Sequence, residues 1–255
     1  MSINEVRFLS QCTSTNTYAK EHIEEFGPVA AVYTTSQTDG RGRRGHTWVN
    51  AAGQALYYTV IIKVPLVQPE TLPLLASLAV RRQLSLRYKV DCAIKWPNDL
   101  LLGGKKLAGI LCESVPYGTN GEGRAYLCGI GINLAQPQDY FDQAGLPYGT
   151  SLALQGAKVD LDTDPSWLAE GLTDFGFDRE LYTFGPEGFE PYREEYAAAC
   201  VNLGRQVTFE LPGGSTGTGT AAAIDGEGRL VVRTDAGEEH VFTGEVSVSG
   251  IYGHV

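Results

Sequence analysis

The chain predicts an α+β fold followed by a small β-barrel. Two observations carry this. Helix-like and strand-like segments interleave through the first 200 or so residues. Beyond Leu203 only short strands remain, divided by Gly, Ser and Asp turns. The expected units are residues 1–200 and residues 201–255, and a length of 255 suits one sizeable core plus a small second one.

The elements follow in order. A helix is expected from Ser14 to Gly27-Pro28, with Ser14 or Thr15 as N-cap and Tyr18, Ile23 and Phe26 among its apolar positions. Val29 to Thr35 reads as a strand, as does Ala55 to Val64, which is rich in β-branched and aromatic residues and closed by Pro65. Leucines and alanines at 74, 75, 78, 79, 84 and 86 predict an amphipathic helix over Glu70 to Tyr88. Pro97 opposes a helix and Asn98-Asp99 favours a turn, so Lys95 to Lys106 reads as two short strands with a Gly103-Gly104 hairpin. Lys106 to Ser114 and Arg124 to Leu134 are strands around the turn Tyr117 to Gly123. Asp164 to Phe184 and Glu187 to Cys200 are helices. The terminal strands are Gln206 to Leu211, Thr218 to Ile224, Leu230 to Thr234 and His240 to Val248.

Composition narrows the function. A net charge of -10 argues against nucleic acid and anionic membranes as partners, since both need a broad positive surface. The five cysteines form no C-x-x-C pair and the four histidines show no metal spacing, so neither a disulfide framework nor a transition-metal site is expected. No apolar segment approaches a membrane span and Met1 to Gln11 lacks the apolar run of a secretory signal, which makes the cytoplasm the default location.

Against this acidic background, Gly40-Arg41-Gly42-Arg43-Arg44-Gly45 is a local cradle for a small anion: guanidinium donors on a backbone that can approach a ligand closely. It matches G-x-G-x-x-G, but His46 to Gly53 has no helical periodicity, so a dinucleotide turn is excluded by context. No Walker A sequence is present. Three further clusters each admit two readings. Lys106 before Leu-Ala-Gly is either a solvated edge residue or a ligand-facing charge. The glycines of Gly129-Ile130-Gly131-Ile132-Asn133 leave one strand face bare, for a helix or for a flat ligand. Ser14-Thr15-Asn16 is either a helix cap or a set of polar ligand contacts.

Together, and in this order, the Ser-Thr-Asn helix start, Gln37 before the arginine loop with Trp48 after it, Lys95-Trp96-Pro97-Asn98-Asp99 before Lys106-Leu107-Ala108-Gly109-Ile110, and the Gly129 to Asn133 strand resemble the biotin protein ligase family. The resemblance covers most of residues 8 to 135 and, more weakly, the C-terminal unit, where Thr243-Gly244-Glu245-Val246 is the one echo. It implies a mixed-sheet catalytic domain of the class II synthetase-like, biotin/lipoate ligase type with an SH3-like barrel. It also implies a two-step reaction, in which biotin and MgATP form biotinyl-5'-AMP and the biotinyl group then passes to a lysine of a biotin carboxyl carrier protein.

By the same resemblance Arg41, Arg43 and Lys106 are catalytic, meeting the biotin carboxylate and the phosphate. Ser14, Thr15, Asn16, Gln37 and Gly40 bind biotin, and Gly109, Gly129 and Gly131 floor its pocket. Trp48 packs over the ligand and Asn133 meets the nucleotide. The Gly40 to Gly45 loop is expected to order on ligand binding, which shields the acyl-adenylate from water. Asp99 either approaches magnesium or caps a turn, and no metal ligand set is assigned. Tyr148 is a candidate for the adenine. His46 departs from the family's usual arginine, and the dozen residues before Ser14 are too few for the DNA-binding domain some members carry. The rival readings are a lipoate or octanoate ligase of the same superfamily and a non-catalytic biotin sensor. A homodimer through a sheet edge is left open.

Overall fold

The computed structural model describes residues 5–42, 47–49, 51–210, 215–242, 246–248 and 251. Strand β1 (Val6–Phe8) leads to helix α1 (Thr15–Glu21), shorter than expected because the chain tightens into a 3-10 turn at Ile23–Glu25. Strands β2 (Val29–Thr34) and β3 (Ala55–Ile62) follow, then α2 (Leu72–Tyr88), which has Pro73 in its first turn. Strands β4 (Ala93–Lys95), β5 (Asp99–Leu102), β6 (Lys105–Tyr117) and β7 (Gly123–Asn133) complete a seven-stranded sheet. Its order is β1-β2-β3-β7-β6-β5-β4, with β1 parallel to β2 and every other pair antiparallel.

Every residue of β3 is buried, which explains its nearly unbroken run of apolar and aromatic side chains: it lies inside the sheet with both faces covered. On one face α2 supplies Leu72, Leu75, Leu78 and Leu84 to a core with Leu56, Tyr58, Ile130 and Ile132. On the other, Ala19, Ile23 and Phe26 pack on Ala30, Val32, Ile61 and Leu127. The expected Gly103-Gly104 hairpin is present, with both glycines at positive φ, 59° and 75°, as a tight two-residue turn demands.

The three-residue strands β1 and β4 and helix α3 (Gln138–Gln143) escaped the sequence reading, because none is long enough to show a period. The next helical run starts where expected, as α4 (Asp164–Gly171), but turns π-helical over Leu172–Asp178 before α5 (Arg179–Glu187). It passes the expected end at Phe184 and stops at Gly188, whose φ is 69°. The following helix, α6 (Arg193–Ala199), therefore starts later than predicted.

After α6 the backbone bridges back to β4, with the Val201 N–H on the Ile94 carbonyl at 2.9 Å. It then enters a five-stranded antiparallel sheet of β8 (Gln206–Glu210), β9 (Thr216–Ile224), β10 (Leu230–Thr234), β11 (Gly237–Val241) and β12 (Val246–Val248), in the order β11-β10-β9-β8-β12. The expected strand His240 to Val248 is thus two strands on opposite edges, since one straight segment cannot pair with both β10 and β8. The two sheets are joined by Trp96, whose backbone N–H meets the Asn202 carboxamide oxygen at 2.8 Å and whose indole N–H meets the Gly228 carbonyl at 3.0 Å. No helix among the described residues is long and apolar enough to cross a membrane.

Candidate active site

A cavity of about 660 Å³ opens on the α1 face of the large sheet. Ser14, Thr15, Asn16, Gln37, Arg41, Trp48, Lys106, Gly109, Gly129, Gly131 and Asn133 all border it, as do Val246 and Ser247 of the small sheet. Residues separated by more than a hundred positions thus converge where the notches between strands meet the start of α1.

At one end lies a polar network. Ser14 is the N-cap of α1, its hydroxyl accepting from the Thr17 N–H at 3.1 Å. The Gln37 carboxamide oxygen accepts from the Thr15 N–H at 2.8 Å, which turns the amide nitrogen of Gln37 toward Gly40. The Thr59 hydroxyl lies 2.8 Å from that of Thr15 and donates to the Asn16 carboxamide oxygen at 2.7 Å. Asn16 in turn donates to the Leu111 carbonyl at 3.2 Å and to Glu113 at 2.7 Å. The Asn16 carboxamide stands on the bare face of Gly129, so this glycine floors the network as well as bordering the cavity.

The opposite end holds an ion pair. Lys106 lies on the bulged stretch where β5 and β6 shift register, and its ammonium is 2.7 Å from Asp99. The backbone of 148–150 is stitched to the same point, with the Lys106 N–H on the Tyr148 carbonyl at 2.7 Å and the Thr150 N–H on the Lys106 carbonyl at 2.9 Å. Tyr148 is thereby held beside Lys106. Asn133 donates to the Thr150 carbonyl and accepts from Gln136, both at 2.9 Å, so its amide braces this segment.

Between the ends, β-carbons on Gly109 and Gly131 would come within 2.6 Å and 2.8 Å of the Trp48 indole. Trp48 therefore lies flat on the two glycines, with the Lys106 ammonium 5.5 Å from its ring centre. Gly40 is not in the cavity wall. It lets the loop neck close, with the Trp48 N–H on the Gly40 carbonyl at 2.9 Å and a bridge between Arg41 and Thr47. The returning side is gripped by two tyrosines: Tyr57 accepts from the Ala51 N–H at 3.0 Å and Tyr140 donates to the Val49 carbonyl at 2.8 Å. Burial pushes the Tyr57 phenol up to about 12, so it stays a neutral hydrogen-bonding group. Arg43, Arg44 and His46, the tip of this loop, and Thr243 to Glu245 lie outside the described residues.

Arg41 is held by Glu113 through two hydrogen bonds of 3.2 and 2.8 Å. Neither Glu113 nor Thr59 stood out in the sequence, although Glu113 shares a strand face with Gly109 and Leu111 by simple alternation. Among the described residues no group of three or more His, Cys, Asp or Glu is placed to hold a metal ion.

The site belongs to a recognisable lineage. Residues 8–133 match the biotin/lipoate A/B protein ligase family, and residues 203–249 match the biotin protein ligase C-terminal domain. A biotin–[acetyl-CoA-carboxylase] ligase of Paracoccus denitrificans is 31% identical over 248 residues, spanning 95% of this chain and 100% of that protein. The bifunctional ligase/repressor BirA of Bacillus spizizenii is 29% identical over 220 residues, which cover 85% of this chain and 65% of the relative's own length. The solved structure of biotin protein ligase from Aquifex aeolicus in complex with biotin and ATP shares the fold, with a TM-score of 0.77 over 96% of this chain and 98% of that one at 23% identity. With a full-length match above 30% identity and the C-terminal domain in its place, the chain belongs to the biotin protein ligase family.

Proposed function

We propose that the protein activates biotin with MgATP to biotinyl-5'-AMP and transfers the biotinyl group to one lysine of a biotin carboxyl carrier domain. The observation that carries this is the polarity of the cavity. Hydroxyl and amide groups at Thr15 and Gln37 and the Lys106 ammonium, beside Asp99, stand on either side of the Trp48 indole, which lies on the glycines of β6 and β7. Biotin has the matching layout, with a ureido group, an apolar ring and chain, and a terminal carboxylate.

In the first step a biotin carboxylate oxygen attacks the α-phosphorus, the bond to the β-phosphate breaks, and pyrophosphate leaves. Two anions must meet, so positioning and charge neutralisation dominate the catalysis. Lys106 faces the carboxylate and then the new anhydride, and Arg43 of the loop is assigned to the phosphate. Ser14, Thr15 and Gln37 orient the ureido end, and Tyr148 is the platform beside the nucleotide. In the second step the carrier lysine's amine attacks the anhydride carbonyl, AMP leaves, and the amine proton is lost to solvent. Magnesium arrives with ATP. A site that offers one carboxylate, Asp99, suits it, since phosphate and water supply its remaining oxygen ligands.

The smaller unit, residues 201–255, lends Val246 and Ser247 to the rim, and the larger, residues 1–200, holds the chemistry. The net charge of -10 accords with a protein partner and small anionic substrates in the cytoplasm. The test is to incubate the chain with biotin, MgATP and an apo carrier domain and to weigh the carrier. The expected result is the mass gain of one biotinyl group. Modification by lipoate or octanoate in its place, or no modification, would overturn the proposal.

A further inference from the structure

We infer that Glu113 is a positioning residue: by pairing with Arg41 it straps the neck of the Gly40 to Gly45 loop to β6, and so sets how tightly biotin is held. This rests on the reading of the cavity as the biotin site, and it gives Arg41 a different task from the ligand contact that the family resemblance implies.

Arg41 and Lys106 have different anchors. Lys106 and Glu113 lie on the same strand, and the Lys106 side chain runs along it toward Gly109, its Cε 3.2 Å from where a Gly109 β-carbon would stand. With its terminal N–H groups on Glu113 at 3.2 and 2.8 Å, the Arg41 guanidinium is anchored beside Asn16, whereas the Lys106 ammonium is anchored on Asp99.

The anchor is itself built in. The Glu113 oxygen that takes the shorter Arg41 bond also accepts from Asn16 at 2.7 Å. Asn16 is 4% exposed and is fixed by Thr59 and by the Leu111 carbonyl, in the space that Gly129 leaves by having no side chain. A chain of hydrogen bonds thus runs from Arg41 through Glu113, Asn16 and Thr59 to Thr15, which holds Gln37. The ion pair is exposed enough, at 41% and 29% of the two side chains, to add little to fold stability.

What the pair does fix is the loop. Arg41 bridges Thr47, and Gly40 receives the Trp48 N–H, so holding Arg41 holds the strand of the loop that lays the indole on Gly109 and Gly131. The pair and the two tyrosine bonds grip opposite sides of the neck.

The experiment compares Glu113→Gln, Arg41→Gln, the double variant and the swap Arg41→Glu/Glu113→Arg. KM for biotin and kcat are read by biotin-dependent pyrophosphate exchange, and loop cleavage by trypsin is followed without ligand. Glu113→Gln keeps an acceptor oxygen for Asn16 and removes both the charge and the second acceptor that Arg41 uses. It should raise KM for biotin on the order of tenfold, leave kcat within about twofold, and speed cleavage in the loop. Arg41→Gln should match it in KM, the double variant should be no worse than either single one, and the swap should regain part of the loss.

An unchanged KM and cleavage rate in Glu113→Gln would overturn the inference. So would a large fall in kcat for Arg41→Gln with Glu113→Gln silent, which would place Arg41 on the ligand's anion. Cleavage is read without biotin. If the wild type made no adenylate, the proposed function would fail, and the strap would still be judged by whether Glu113→Gln opens the loop.

Discussion

A β-carbon on Gly131 would stand 2.8 Å from Cε2 of Trp48, so the indole lies directly on the backbone of β7. This contact joins the loop to the sheet. Gly131→Ala should lift the indole by the width of a methyl group and weaken biotin binding about 5- to 100-fold, the range of a moderate overpacking penalty. The fold should survive, because Trp48 sits at the cavity and not in either core. Calorimetric titration with biotin and a thermal melt check both halves, and unchanged affinity would show that the indole moves aside freely.

Lys106 and Asp99 pair at 2.7 Å, with Asp99 13% exposed. Lys106→Met should slow biotinyl-adenylate formation on the order of 100- to 1,000-fold, as expected when a group that neutralises developing charge is removed. It should also remove the ammonium 2.7 Å from Asp99. Adding Asp99→Asn should therefore recover thermal stability without recovering activity. A double variant with restored exchange activity would contradict the role given to Lys106.

Trp96 is 2% exposed and spends its indole N–H on the Gly228 carbonyl at 3.0 Å. In the Lys-Trp-Pro-Asn-Asp segment it acts as the strut between the two sheets. Trp96→Phe keeps an aromatic ring but orphans the carbonyl, a cost of about 1–3 kcal/mol. Denaturant unfolding should show that loss. Hydrogen exchange should quicken first in the turn between β9 and β10, which contains Gly228, and uniform exchange throughout would argue against a local strut.

Asp164, at the start of α4, has its carboxyl held below the ordinary carboxylate value. Burial pushes it up, but the Asp160 N–H at 2.8 Å and Arg87 at 2.9 Å outweigh that. A carboxyl with a lowered folded pKa stabilises the fold fully above its unfolded value of 3.8, and the contribution fades as the pH falls through the folded value. The melting temperature should therefore drop below about pH 4 in the wild type. Asp164→Asn should melt a few degrees lower at neutral pH and show a shallower acid limb. An acid limb as steep as the wild type's would rule the residue out.

Much of the strand pattern was legible because it follows period and punctuation. The glycine pair at 103 and 104, the long apolar run of β3 and the alternation on β7 each state a local backbone requirement. The short β1 and α3 carry no period, and the split of the last strand into β11 and β12 depends on which edges pair, a long-range choice. In the site, Lys106, Gln37, Trp48 and the glycines were readable as a set. Glu113 and Thr59 were not, since an acid and a threonine inside strands look like any alternating residues until their partners arrive from residues 16 and 41.

The sequence by itself determined the family, the α+β order of elements and the residue types that meet an anion, because each of these is written in local spacing and composition. Only the tertiary structure decided where the charges point, Lys106 to Asp99 and Arg41 to Glu113, and that the Asn16 carboxamide stands on Gly129. The reason is geometric. A side chain's role depends on the partner within about 3 Å of its polar atoms, and sheet pairing across long stretches of chain chooses that partner.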